Sequence, residues 1–457
     1  MGKYYKTRET EHYDYPQLCI FQDGITAESF KNELLNKEEI RTPKTVLYIH
    51  VPFCKGFCIF CNYYKELQKD SCRLEQYVEA LIKEIRTYGE MLPDKLKTIT
   101  AIHFGGGTPS VMNGKTIQKI LDTIKQYFQL EDDCTISMEG SVKNFSQENY
   151  MSELSETDIN RVSFGIQSFD RPLRTKYGLC DLDKVYKTFE NLKKTTIKDI
   201  NADLMYNFPE QTPEMIIKDI ESVLDLDVRT FDLYSLNVFP NTYMQNYLIK
   251  NDTLKIHNSN NETNIFQDVY KYIKDSGYAY PIMSNTFSKE KIEPYKFLKY
   301  HLGGNELNGG SIIGFGASSR GYIDGIAYKN HVQIDDYIKA IEENDGIAVN
   351  VGRVVDDVEN NRRTLVMFPN FTKIKKNAFI HDEEIDETID RLISDGIIKE
   401  DKDSLFIETE DCYWAGNISA EFYTKNQKAR MTKSLLLNMK NKLNMYNQDE
   451  MIIKKKG

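Results

Sequence analysis

Residues Tyr48–Tyr64 read YIHVPFCKGFCIFCNYY, and the rest of the chain is organised around them. Cys54, Cys58 and Cys61 stand at C-x3-C-x2-C spacing directly behind the apolar run Val46–Val51. That run is rich in Val, Ile and Tyr and is closed by Pro52, which predicts a buried strand. The thiols are therefore expected on a loop at the strand's C-terminal end. Three thiols within eight residues can fold around one metal centre. Tetrahedral zinc usually takes four ligands, and a cubane iron–sulfur cluster normally takes four thiolates. With three, one iron of a cubane is left open to a non-protein ligand. A structural zinc knuckle, or core thiols that bind nothing, are the competing readings of the cysteines taken alone.

Composition sets the outer limits. The chain has 457 residues, 40% of them hydrophobic, enough for a substantial core and for about two or three domains. A formal net charge of −10 argues against broad electrostatic binding of nucleic acid. Outside the triad, Cys19, Cys72, Cys134, Cys180 and Cys412 are scattered and show no disulfide framework. Scattered thiols fit a reducing cytosol, so a cytoplasmic location is expected. The opening MGKYYKTRETEHYDYP has no apolar signal core, and no later run approaches a membrane span.

In chain order, a polar leader is punctuated by Pro16 and an Asp23–Gly24 turn, and a short helix is expected from Ala27 to Leu35. Behind the cysteine loop, helical and strand patterns alternate. Leu74, Val78, Leu81, Ile82, Ile85 and Tyr88 mark a helix, and Thr98–Phe104 a strand. Helical runs around Ile117–Phe128, Tyr150–Leu154 and Val185–Leu192 then alternate with strands Thr135–Glu139, Arg161–Ile166 and Ile200–Tyr206. Thr212–Pro213 starts a helix to about Leu226, with a hydroxyl cap and proline in the first turn. It hands over to the strand Phe231–Leu236. Counting Val46–Val51, strand and helix alternate six times, which predicts an α/β fold of βαβ units curved into a partial (β/α)6 barrel.

Barrel chemistry is placed at the C-terminal ends of the strands. Here the second strand leads into Gly105-Gly106-Gly107-Thr108-Pro109, where backbone can approach a ligand with no side chain between. Glu139, Gln167, Asp203 and Ser235 are expected just after the third to sixth strands. Any one of them reads equally as a cap or a solvated rim; their common placement points to one assembled site.

The cysteine stretch resembles that of the radical S-adenosylmethionine (SAM) enzymes. The resemblance implies a [4Fe–4S] cluster on Cys54, Cys58 and Cys61, whose open iron chelates SAM and delivers an electron to form a 5′-deoxyadenosyl radical. YIHVPFC, FGGGTPS, RVSFGIQSF, DLMYNFPEQT and the GFGASS run at Gly314–Ser319 narrow it further. In order, and from about Tyr13 into the C-terminal part, they look like the oxygen-independent coproporphyrinogen III oxidase branch, which also holds heme chaperones and anaerobic heme-opening methyltransferases. By position, Tyr48, Gly106 and Glu139 match family contacts to the cluster-bound SAM. Phe60 matches the family's aromatic position near the adenine. Phe60, Gly107, Thr108, Gln167, Asp203 and Ser235 match residues that in the oxidase meet a second SAM. The resemblance also implies a tetrapyrrole substrate and an electron donor such as flavodoxin or ferredoxin. No catalytic residue is assigned.

The departures are specific. Tyr63 stands where the oxidase has a fourth cysteine, and Leu179 follows Gly178 where the family has an arginine. A cation is the natural partner of a SAM carboxylate, so the second SAM is in question, with Arg174 as the candidate replacement. The heme chaperones' HNxxYW motif is missing from the region of His301-Leu302-Gly303-Gly304. Glu139-Gly140 and LYSLNVFPNT at Leu233–Thr242 look closer to the heme-opening methyltransferases, the anaerobilin synthases.

The expected organisation is an N-terminal extension (1–43), the partial barrel (44–290), a barrel-completing segment with the GFGASS turn (291–345), and a C-terminal helical and wing domain with a basic tail (346–457). The acidic helix Asp382–Gly396, a strand at Ser404–Thr409 and WAGNI at Trp414–Ile418 resemble the family's small α+β, winged-helix-like domain, read here as a substrate lid. Three functions are expected in order. The first is tetrapyrrole chemistry, by decarboxylation or by methyl transfer with ring opening. The second is C-methylation of another conjugated scaffold, and the third non-catalytic heme transfer.

Overall fold

The computed structural model describes residue 15 and residues 25–37, 39–61, 63–238, 243–251, 259–277, 279–301, 309–425 and 427–428. Pro16, the Asp23–Gly24 turn, Leu302-Gly303-Gly304 and the basic tail lie outside them. Six parallel strands pair in chain order: β1 (Thr45–Val51), β2 (Thr98–Gly106), β3 (Gln129–Gly140), β4 (Arg161–Gln167), β5 (Asp199–Tyr206) and β6 (Thr230–Ser235). Parallel neighbours require a crossover, and the amphipathic stretches supply it as helices Ser71–Met91, Gly114–Tyr127, Glu148–Ser155, Leu182–Leu192 and Pro213–Leu224. Helix Pro213–Leu224 starts as expected, with Thr212 Oγ1 accepting from Met215 N and proline in the first turn. Strand β2 is buried from Ile99 to Gly105 because helices cover one face and the barrel interior the other.

Later chain extends the sheet at both edges. Strands β7 (Tyr280–Pro281) and β8 (Thr286–Ser288) add to β6 in antiparallel fashion. At the other edge β9 (Ser311–Phe315) pairs parallel with β1, and β10 (Arg320–Ile323), β11 (Ile326–Asn330) and β12 (Val349–Val354) follow as an antiparallel meander. The twelve-stranded order is β12-β11-β10-β9-β1-β2-β3-β4-β5-β6-β8-β7. Strand β1 thus lies in the interior of the sheet, flanked by parallel partners, and its C-terminal end opens on the same side as theirs.

The GFGASS turn leaves β9 and is clamped beneath the cysteine loop. Tyr77, on the helix that follows that loop, donates to His50 O at 2.7 Å and accepts from Ala317 N at 3.0 Å. Glu84, two turns further along the same face, accepts from Gly316 N at 2.7 Å, Asn330 Nδ2 at 2.6 Å and Tyr337 OH at 2.7 Å. A side chain on Gly316 would lie 2.6 Å from His50 O, so only glycine lets the turn come this close.

The expected C-terminal wing is a sheet of three short strands. Strands β13 (Lys373–Lys375), β14 (Lys399–Glu400) and β15 (Ser404–Phe406) pair in the order β13-β15-β14, beside helix Glu383–Ser394. Asp382 caps that helix, and Ile385, Ile389 and Leu392 are its buried face. The layer joins the barrel through Tyr413, which accepts from Thr263 Oγ1 at 3.1 Å and packs on Phe266. Tyr15 is buried there too, accepting from Gln427 Nε2 at 2.5 Å.

Candidate active site

The cysteine loop is held at its first residues by short-range backbone pairing. Phe53–Cys54 pairs parallel with Glu66–Leu67, which closes the loop on itself. The glycine turn after β2 then packs beneath it: Gly107 N donates to Val51 O at 2.9 Å and Thr108 N to Phe53 O at 2.8 Å. Thr108 Oγ1 donates to Cys54 Sγ at 3.3 Å. Two glycines here are conformational requirements. Gly106 has φ +112°, and a Cβ on Gly107 would stand 2.7 Å from Phe53 O.

Glu139 lies one residue before the end of β3, beside this turn. Its Oε2 accepts from Gly106 N at 3.2 Å, and its Oε1 is 3.0 Å from His103 Nε2. Tyr48 closes the same corner, its hydroxyl 3.0 Å from His50 Nδ1 and its ring stacked over His103. Burial first, then the Glu139 charge, pushes the Tyr48 phenol well above its ordinary range. Burial pushes His50 down to about 4, so its ring is neutral. Tyr48, Gly106, Thr108, Glu139 and Cys54 are thus brought into one corner.

The remaining candidates are engaged within the chain. Gln167 is the last residue of β4 at φ +66°, and its amide folds back, its nitrogen reaching Gly165 O and Ile166 O at 3.2 and 3.1 Å. Asp203 lies inside β5, three residues before the strand ends, and does not follow it, because the ladder with β6 continues to Tyr206. It accepts from Asn201 Nδ2 at 2.9 Å and Ser163 Oγ at 3.3 Å. Asn201 Nδ2 also donates to Asp232 at 2.8 Å. Burial, then Asp232 and Glu139, push the Asp203 carboxyl well above the usual carboxylate range. Ser235, the last residue of β6, donates to Glu262 Oε1 at 2.7 Å. Phe60 packs with Leu179 against an apolar cluster that includes Leu173, Tyr177, Phe208 and Met244. Arg174, the candidate replacement for the missing arginine, is engaged as well. It is buried and donates to Ile166 O, Ser168 O and Cys180 O at 2.5–2.7 Å, holding its own turn.

Several site residues went unread in the sequence, namely His50, His103, Ser137, Asn201 and Asp232. His103 carried a signal, as a lone polar ring in the apolar run of β2 two residues before the glycines. Asn201 and Asp232 carried none, since their meaning depends on the register of β5 with β6.

Comparison with known proteins places the chain. The Radical SAM superfamily matches residues 48–223. A heme chaperone (HemW) of Lactococcus lactis subsp. lactis is 30% identical over 294 residues, covering 64% of this chain and 73% of that protein. The chain belongs to the radical SAM superfamily. The anaerobilin synthase of Escherichia coli O157:H7 is 25% identical over 378 residues, covering 82% of this chain and 83% of that protein. In fold, the chain matches the radical SAM coproporphyrinogen III oxidase (HemN) of Escherichia coli with a TM-score of 0.74 at 20% identity, over 92% and 97% of the two chains.

Radical SAM membership implies a [4Fe–4S] cluster and SAM, and the thiols fit that donor set. All three are free; Cys54 is buried, Cys61 half-buried and Cys58 exposed, so the set runs from core to solvent. Cys54 Sγ accepts from Thr108 and Cys61 Sγ accepts from Lys65 Nζ at 2.9 Å, donors suited to thiolate sulfur. Among the described residues no three His, Cys, Asp or Glu side chains close on a single-ion position. A cubane asks less of them, because each thiolate meets its own iron.

Proposed function

We propose that this radical SAM protein is an enzyme of tetrapyrrole chemistry, with Cys54, Cys58 and Cys61 holding the cluster and Tyr48, Gly106 and Glu139 holding SAM. The observation that carries the reading is the corner itself: three free thiols on the loop after β1, locked to the glycine turn beside the Glu139 carboxylate. When bound, the cluster and SAM supply an electron and a 5′-deoxyadenosyl radical. The chain's own residues bind and orient. Glu139 offers acceptor lone pairs to an ammonium, and Gly106 and Gly107 leave room for close approach. Phe60 supplies an apolar wall for the adenine, and Thr108 holds Cys54 in place. Gln167, Asp203 and Ser235 are the further positions that the resemblance assigns to SAM. The tetrapyrrole assignment follows the relatives, whose names are heme chaperone, anaerobilin synthase and oxygen-independent coproporphyrinogen III oxidase. Non-catalytic heme binding is the second reading, favoured by the 30 and 31% identities to heme chaperones.

The test is anaerobic incubation of the reconstituted protein with SAM and dithionite, offering heme and coproporphyrinogen III in parallel. Tetrapyrrole-dependent 5′-deoxyadenosine and a product of altered mass are expected. Heme retained without 5′-deoxyadenosine would establish the chaperone reading instead. Iron and sulfide undiminished in the Cys54→Ala, Cys58→Ala, Cys61→Ala triple variant would remove the cluster assignment.

A further inference from the structure

A line of polar groups runs inward from Glu139 that binding of a cofactor alone does not explain. His103 Nε2 is 3.0 Å from Glu139 Oε1, and its Nδ1 is 2.5 Å from Ser137 Oγ. Ser137 Oγ in turn contacts the Tyr295 hydroxyl, which also reaches Ile102 O at 3.4 Å. The imidazole cannot rotate. Phe297 stacks on it with ring centres 4.7 Å apart and 26° between planes, and Tyr48 stacks at 6.0 Å and 16°. Tyr295 is pinned as well, by the Arg161 guanidinium 4.1 Å over its ring.

The proton inventory gives this line a direction. A carboxylate only accepts, so the His103 nitrogen facing Glu139 must carry a hydrogen. In the neutral ring Nδ1 is then an acceptor, and Ser137 is the hydroxyl that donates to it. The Glu139 carboxylate thereby selects the tautomer whose Nε2–H points at it, and Ser137 supplies the donor that Nδ1 of that tautomer needs. On the other side Gly106 N holds Oε2, so each carboxylate oxygen has one protein donor. The Glu139 side chain is 43% exposed while His103 is 11% exposed, so the remaining lone pairs face the mouth and the donors stand behind.

We infer that His103 is a positioning residue, which with Ser137 fixes the Glu139 carboxylate to receive the ammonium of SAM. The inference rests on the SAM reading proposed above. It differs from a packing role in one respect: it requires a donor at the place of Nε2, and the ring itself is dispensable.

Glutamine, asparagine and leucine at position 103 separate the two. A glutamine amide nitrogen reaches the place of Nε2, an asparagine nitrogen only that of Nδ1, and leucine supplies neither. SAM affinity is measured by equilibrium dialysis on anaerobically reconstituted protein without reductant, with iron content and Tm recorded for each variant. His103→Leu and His103→Asn should weaken SAM binding by about ten-fold or more, the usual effect of losing a hydrogen bond to a charged group. His103→Gln should stay within about three-fold of the unaltered protein, a difference well under 1 kcal/mol. Equal affinities in all four proteins, or equal losses in the Gln and Leu variants at unchanged iron, would overturn the inference. Should the position-103 variants fail to fold, Ser137→Ala carries the test: weakened SAM binding at full iron supports the tautomer argument, and unchanged binding overturns it. An unaltered protein that holds a cluster but no SAM would instead remove the SAM reading.

Discussion

Gly107→Ala tests whether the cysteine loop depends on the glycine turn. The new Cβ would lie 2.7 Å from Phe53 O, 2.9 Å from Phe53 N and 3.0 Å from Val51 O, all backbone atoms that cannot swing aside. Relaxing the closest approach to an ordinary 3.4 Å contact requires the two segments to part by about 0.7 Å. That movement stretches the Gly107 N–Val51 O and Thr108 N–Phe53 O hydrogen bonds from 2.9 and 2.8 Å. Overpacking of this kind costs about 1–3 kcal/mol, and two weakened hydrogen bonds add roughly 0.5–1.5 kcal/mol each at most. A total of about 2–6 kcal/mol is expected, together with displacement of Cys54, which follows directly on Phe53. The assay pairs urea denaturation with iron per chain after anaerobic reconstitution. Gly56→Ala is the control, because no atom lies within 4 Å of its added Cβ although it sits between Cys54 and Cys58. Gly107→Ala should lose stability and iron while Gly56→Ala keeps both. Equal iron and equal midpoints in the two variants would refute the argument that the turn positions the loop.

Two further outcomes follow from buried groups. Burial pushes the Glu84 carboxyl from 4.5 up to about 7 against three hydrogen bonds that favour its charge. A raised carboxyl binds more protons folded than unfolded, so its contribution to stability falls as pH rises from about 4.5 to about 7 and is level above that. The span corresponds to on the order of 3 kcal/mol; Glu84→Gln, compared with the unaltered protein by denaturation across that range, should flatten this part of the profile, and parallel curves would refute it. The second concerns SAM stoichiometry. With Arg174 engaged by carbonyls and Leu179 in an apolar cluster, the reconstituted protein should bind one equivalent of SAM by dialysis, and two tight sites would show that another anchor exists.

The six alternating units and the thiol spacing were legible in the sequence because both are local. Apolar periodicity reports which face of a segment is buried before its neighbour is known, and Thr212–Pro213 marks a helix start by itself. The same holds for Cys54, Cys58 and Cys61, whose eight-residue span confines them to one loop. What only the tertiary structure decided is which polar residues meet. Asp203 was expected at the mouth of the barrel, but it lies three residues inside β5, where the register with β6 places it beside Asn201 and Asp232. Arg174 looked available as a charge and is held by three carbonyls of its own turn. Glu84 is a charge on the apolar face of its helix, and its partners, in the GFGASS turn more than two hundred residues later, are set only by the fold. His103 gains its meaning from Glu139 on the next strand and Tyr295 far along the chain. Periodicity carries no information about such pairs, because strand register and loop return, set by packing of the whole sheet, bring them together.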